Sequence, residues 1–141
     1  MKFTPENIEK LHHGEVFVFG SNESGYHGAG AAKKALEFGA KMGLGFGPSG
    51  KTFAIPTKDW DIQTLPLGDV AFYVKRFVAY AKMKQKTTFL VTKIGCGLAG
   101  FKVDDIAGIF RQADAQNVPN IILPEEFVEY CRDWDRRANI P

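Results

Sequence analysis

Cysteine, histidine and charge of one sign are all scarce in this sequence, and each scarcity removes a class of function. The only cysteines are Cys96 and Cys131. They have no C-x-x-C spacing, so neither a disulfide framework nor a cysteine-based zinc site is expected. Histidine is confined to His12, His13 and His27, so no metal site is expected, and nothing in the sequence asks for a cofactor. The formal net charge is +2 over 141 residues, too weak a field to demand nucleic acid or an anionic membrane as partner. The densest basic run, "KMKQK" at residues 82–86, ends a predicted helix, where cations complement the dipole. A long apolar run and a signal peptide are both missing, which leads us to expect a cytoplasmic protein with free thiols. No repeat, low-complexity tract or linker divides residues 1–141, which read as one domain.

Hydrophobic residues make up 45% of the chain and twelve of them are phenylalanine, enough for a substantial core. Thr4 and Pro5 are placed as an N-cap and first helical position for a short helix to about residue 11, ended by Gly14. Strands are expected at "EVFVF" (residues 15–19), "TFAI" (52–55), "TTFLVTKI" (87–94) and "NIIL" (120–123). Helices are expected over residues 28–42, then from Leu67 with Val70, Val74, Phe77, Val78 and Ala81 on one face, then over 103–116 and 125–137. Alternation of apolar strands with amphipathic helices predicts an α/β fold with a mainly parallel sheet covered on both faces.

The stretch "GFGPSGKT" at residues 45–52 matches G-x-x-x-x-G-K-[ST] letter for letter. That pattern cradles phosphate only between a strand and a following helix. Here the next residues are "TFAIPT", a β-branched and aromatic run with a proline that would break a helix. The match is read as a helix-to-strand connection with Lys51 and Thr52 at the surface.

In a parallel sheet, ligands sit beyond the carboxyl ends of the strands. Two glycine-rich loops are placed there. One is "GSNESGYHGAGAAKKAL" after the first strand, and the other is "GCGLAGFKVDDIAGIF" after the third. Glycine permits close approach to the backbone, and amides at a helix start attract anions, so two facing loops suit a diphosphate. Neither has the Rossmann G-x-G-x-x-G spacing. Between them "FAIPTKDW" brings Lys58 and Asp59 to the same edge, Lys58 as a point charge for phosphate or, if desolvated, as an amine nucleophile. Cys96 at a helix start offers a separate possibility, a thiol nucleophile with His27 as its base.

These loops resemble those of the macrodomain family, the ADP-ribose-binding three-layer α/β/α fold, in order over most of the chain. "IGCGL" is the more specific string and is similar to the branch holding ADP-ribosyl-glutamate hydrolases and ADP-ribose 1''-phosphate phosphatases. The resemblance implies a ligand site made from Gly20, Ser21, Asn22, His27, Gly28, Ala29, Gly30 and Ala31 on one side. On the other side it implies Ile94, Gly95, Cys96, Gly97, Leu98, Ala99, Gly100 and Phe101. Asn22 would bond the distal ribose, Phe101 would pack on a sugar face, and Lys58 would be the nucleophile. The hydrolase branch has an aspartate just after "IGCGL", where this chain has Ala99; Asp104 and Asp105 are the nearest carboxylates. Phosphatase-like members carry "LAG" at that place. For the adenine-contacting aspartate only Glu6 and Glu15 are on offer.

The expected partner is therefore ADP-ribose or a related nucleotide, free or on an ADP-ribosylated protein. Hydrolysis of ADP-ribosyl esters or of ADP-ribose 1''-phosphate stands beside a non-catalytic reader. A cysteine hydrolase and a P-loop nucleotide hydrolase are the remaining alternatives.

Overall fold

The computed structural model describes residues 2–139. In chain order the elements are β1 (Glu15–Asn22), α1 (Gly30–Leu36), β2 (Gly47–Ser49), β3 (Thr52–Lys58), α2 (Leu67–Met83) and β4 (Thr88–Val91). They continue with α3 (Val103–Gln112), a 3-10 turn (Ala115–Asn117), β5 (Ile121–Ile122) and α4 (Glu125–Ala138). The sheet order is β2-β3-β1-β4-β5. β3, β1, β4 and β5 run parallel, and β2 pairs antiparallel with β3. The α/β class with a mainly parallel sheet, expected from the alternation, is the one observed.

The strands send successive side chains to two buried faces, which is why they read as unbroken apolar runs. Phe17, Phe19, Ala54 and Leu90 pack with Ala32 and Ala35 of α1 and with Ile8. Val18, Phe53, Ile55, Phe89 and Val91 lie on the other face with Val70, Val74, Phe77 and Val78 of α2 and Ile106 and Phe110 of α3. There the Phe77 ring stands 5.0 Å from Phe53 and 5.5 Å from Phe89. Such edge-on pairs add roughly 0.5–1.5 kcal/mol each beyond their buried area. α4 backs α3 through Phe127, 5.6 Å from the Phe110 ring. Among the described residues no helix is long and apolar enough to cross a membrane.

Several boundaries differ from the sequence expectation. Residues 4–11 form no helix. Thr4 donates its amide to the Leu123 carbonyl (2.9 Å) and its hydroxyl to the Ile122 carbonyl (3.0 Å). A cap would need that hydroxyl as a local acceptor; the distant strand end takes it as a donor instead. α1 stops well before residue 42 because Gly39 adopts φ 103°, with Ala40 N–H on Ala35 O and Gly39 N–H on Leu36 O, the Schellman closure. α3 ends early for a related reason, since Asp114 takes φ 64°. Leu67, expected on the core face of α2, is 38% exposed.

Residues 45–52 connect α1 to β3 through a hairpin. β2 is followed by Gly50 at φ 55° and then β3, so the helix that a phosphate-cradling loop requires is replaced by a strand. Lys51 is exposed, as expected. Thr52 is buried opposite Phe17, its hydroxyl donating to Ser49 O at 2.6 Å.

Candidate functional site

β1 leads through α1 toward β3 on one side, while β4 leads through α3 to β5 on the other. The connections leaving these neighbouring strands therefore diverge, and a crevice opens at their carboxyl ends. It encloses about 400 Å³, inside the roughly 300–1,000 Å³ usual for small-molecule sites.

The first wall begins within the sheet, because Gly20, Ser21 and Asn22 belong to β1. Pro56 has no N–H for the ladder. The pairing steps from Ser21–Pro56 to Asn22–Lys58, with Thr57 as the extra residue. Asn22 and Lys58 thus meet at the edge of the cleft. The buried Asn22 amide is committed to its own loop: Oδ1 accepts from Ser24 Oγ (2.7 Å) and Tyr26 N (2.9 Å), and Nδ2 donates to Tyr26 O (2.8 Å). Ser21 donates its hydroxyl to Gly45 O. From α2, Tyr73 donates its hydroxyl to Glu23 Oε2 at 2.5 Å. That bond, with burial second, pushes the phenol up to about 12. Beyond this brace, the amides of Gly28, Ala29, Gly30 and Ala31 donate to no backbone carbonyl among the described residues.

The second wall is a run of tight backbone turns. Phe101 N–H bonds Gly95 O (2.9 Å), Gly100 N–H bonds Gly97 O (3.0 Å), and the Gly97, Leu98 and Ala99 amides have no backbone acceptor among the described residues. Leu98, 72% exposed, reaches over so that its Cδ1 lies 3.7 Å from where a Cβ on Gly30 would stand.

Two lysines enter this space. Lys58 has no ion-pair partner within 4 Å among the described residues. Lys93 is bound to Glu126 (2.9 Å) and Glu6 (3.3 Å). The Glu126 bond first and the Glu6 bond second raise the Lys93 ammonium above its ordinary range, and Lys93 lowers Glu126 in return. Among the described residues no carboxylate lines the cleft. The third border is the loop over residues 59–64. Asp59 Oδ1 accepts from Asp61 N (2.8 Å) and Gln63 N (3.0 Å), and Thr64 Oγ1 donates to Ala99 O (3.0 Å). Within it Ile62 lines the cleft at φ 62°, a conformation that costs a β-branched residue roughly 1–3 kcal/mol.

Of the residues expected at the site, Gly20, Ser21, Asn22, Gly28, Ala29, Gly30, Ala31, Lys58, Ile94, Gly95, Gly97, Leu98 and Ala99 line the cleft. Cys96, Gly100, Phe101, His27, Asp104 and Asp105 do not. Phe101 lies behind Gly95, its Cδ2 2.9 Å from where a Cβ would sit. Asp104 and Asp105 are exposed in the first turn of α3. His27 is buried against Phe19, 5.3 Å between rings, and neither ring nitrogen has a hydrogen-bond partner among the described residues. The Cys96–His27 pair is therefore not formed. Burial raises the Cys96 thiol, whose Sγ contacts Ile94 O at 3.5 Å, the reverse of what a thiolate nucleophile needs. Glu6 is held by Lys93, and Glu15, bonded to the His12 amide (2.8 Å), starts β1 at the opposite edge of the sheet. Among the described residues no three His, Cys, Asp or Glu gather to hold a metal.

Tyr26, Ala32, Thr57, Ile62, Thr92 and Lys93 also line the cleft. Thr92 and Lys93 follow β4 as Lys58 ends β3, so the strand-end rule that selected Lys58 applies to them once β4 is seen to stop at Val91. Ile62 carries no such signal, because nothing in its letters points to positive φ.

No family model and no curated protein matches the chain. A solved structure from Bacteroides thetaiotaomicron, described as a protein of unknown function, is similar to it with a TM-score of 0.58 at 14% identity. The match covers 82% of this chain and 90% of that one. At that identity the likeness speaks for the fold alone.

Proposed function

We propose that the cleft binds ADP-ribose, free or attached to a protein. The observation that carries this reading is the lining: among the described residues, two lysines, no carboxylate, and two facing glycine loops whose amides have no backbone acceptor, at the crevice between β1 and β4. Such a lining favours a polyanion approached closely by backbone. The amides of Gly28, Ala29, Gly30 and Ala31 hold one side of the diphosphate and those of Gly97, Leu98 and Ala99 the other, with Lys58 supplying a point charge. Free Cys96 and Cys131 fit a reducing compartment, which supports a cytoplasmic location as part of this proposal.

Calorimetric titration with ADP-ribose, beside ATP and AMP in the same salt, tests the reading. Saturable binding that prefers ADP-ribose is expected; binding of ATP alone, or of nothing, overturns it.

A second reading is favoured by one observation, the unpaired Lys58 amine in the cleft. In it the neutral Lys58 amine attacks the anomeric carbon of the terminal ribose and expels the ester's carboxylate or the 1''-phosphate; water then cleaves the ribosyl–lysine bond, giving ADP-ribose and the free amine, so the chain hydrolyses ADP-ribosyl esters or ADP-ribose 1''-phosphate. If both compounds stay intact for hours with excess protein, this reading fails. Lys58→Ala separates the two, since a reader keeps most of its affinity while an enzyme loses turnover.

A further inference from the structure

Among the described residues two non-glycine residues adopt positive φ, Asp114 and Ile62. Aspartate tolerates that region; a β-branched side chain is a true outlier there. The loop's own bonding does not call for isoleucine, because Asp59 closes the turn through the amides of Asp61 and Gln63. The core does not call for it either: Ile62 is 41% exposed and belongs to neither apolar cluster. Ile62 lines the cleft instead, in a loop bonded to Ala99 on the second wall through Thr64. Strain that folding does not need is kept for what the residue faces.

Resting on the reading that this cleft takes ADP-ribose, we infer that Ile62 is a specificity-determining residue that packs against the terminal sugar and sets the preference for ADP-ribose over ADP. This border of the cleft offers an aliphatic side chain and, from Lys58, an ammonium that only donates. An adenine edge needs an acceptor as well as donors, whereas the hydroxyls and C–H face of a sugar fit both groups. The loop fixes Ile62 before the ligand arrives, so the contact requires no ordering on binding.

The test titrates wild type, Ile62→Gly and Ile62→Val with ADP-ribose and with ADP, and records Tm for each. Glycine releases the strain, so Tm holds or rises. ADP-ribose is expected to bind Ile62→Gly about fivefold more weakly, the loss of a partly buried aliphatic contact, while ADP binding is unchanged. Valine, still β-branched, keeps the preference. An unchanged preference in Ile62→Gly, or an equal loss for both ligands with a lower Tm, overturns the inference and leaves the ADP-ribose reading standing. Wild type that binds neither ligand overturns both.

Discussion

Residues 23–29 and residues 92–101 face each other across one cleft and are rich in the same amino acid, but they are held differently. The first loop is braced by side chains. Asn22 makes three bonds within it, Tyr73 ties Glu23 to α2, and Gly25 at φ 74° sits where a Cβ would lie 2.4 Å from the Gly43 carbonyl carbon. Among the described residues the second loop, past Thr92 and Lys93 at its root, is held from elsewhere by one side-chain hydrogen bond, from Thr64 to Ala99 O. At Gly97 and Gly100 a Cβ would meet nothing within 4 Å. Glycine is thus a packing requirement at Gly25 in the first loop and at Gly95 near the root of the second, while at Gly97 and Gly100, the tip of the second, it leaves room. Local opening follows contact density, so the second loop is the wall that adjusts to a ligand and the first is the wall it adjusts against.

The hardest blow to this contrast is Gly25→Ala. It combines a left-handed residue with backbone that cannot retreat, and we expect a loss of about 3 kcal/mol or failure to fold, read from the denaturant midpoint. Asn22→Ala comes next. It strips partners from Tyr26 N, Tyr26 O and the Ser24 hydroxyl in a buried setting, at about 2 kcal/mol. If ADP-ribose binding survives Asn22→Ala with only a loss of stability, the amide is a brace. If affinity vanishes while stability holds, Asn22 touches the ribose directly and the contrast between the loops fails.

These particular residues show where the sequence was readable. Phe17, Val18, Phe53 and Phe89 announce a sheet buried on both faces, because alternating faces that are both apolar leave an unbroken run of apolar letters. The two glycine loops follow from strand order, since everything after β1 and β4 must emerge at one edge. What letters hide is tertiary bonding. Thr4 looks like a cap until Leu123 and Ile122 take its donors, and His27 looks like a ligand until its ring is found against Phe19. Ile62 could not be anticipated at all, because its conformation runs against its own propensity and is imposed by Asp59. Residues 45–52 carry the opposite lesson: a phosphate-loop spelling turned into a β-hairpin because β-branched and aromatic residues follow it.

A smaller effect is expected at the root of the second loop. Glu126 lies below the ordinary carboxylate range because Lys93 bonds its ionised form. A depressed carboxylate contributes stability above its unfolded range near pH 4.5, and that contribution is lost as pH falls through the lower folded value. Glu126 and Lys93 have side chains 40% and 39% exposed, so screening holds the contribution under about 0.5 kcal/mol. Glu126→Gln should flatten the acid limb of a stability–pH curve by that amount and no more. A larger change would mean the second loop is braced at its root as firmly as the first.

The smallest stability effect belongs to Gly97→Ala, and it is the most informative about the ligand. Gly97 lines the cleft, its φ is not in the left-handed region, and a Cβ there meets no protein atom within 4 Å. Stability should therefore stay within about 0.5 kcal/mol of wild type, in contrast to Gly25→Ala in the facing loop. The new methyl stands on backbone whose neighbouring amides are free, so a diphosphate held by those amides must yield to it. The expected result is an unchanged unfolding midpoint with ADP-ribose affinity lowered severalfold. If the midpoint falls instead, the second loop is packed after all. If neither quantity moves, the diphosphate does not lie against Gly97, and the free amides of the first loop are left to hold it alone.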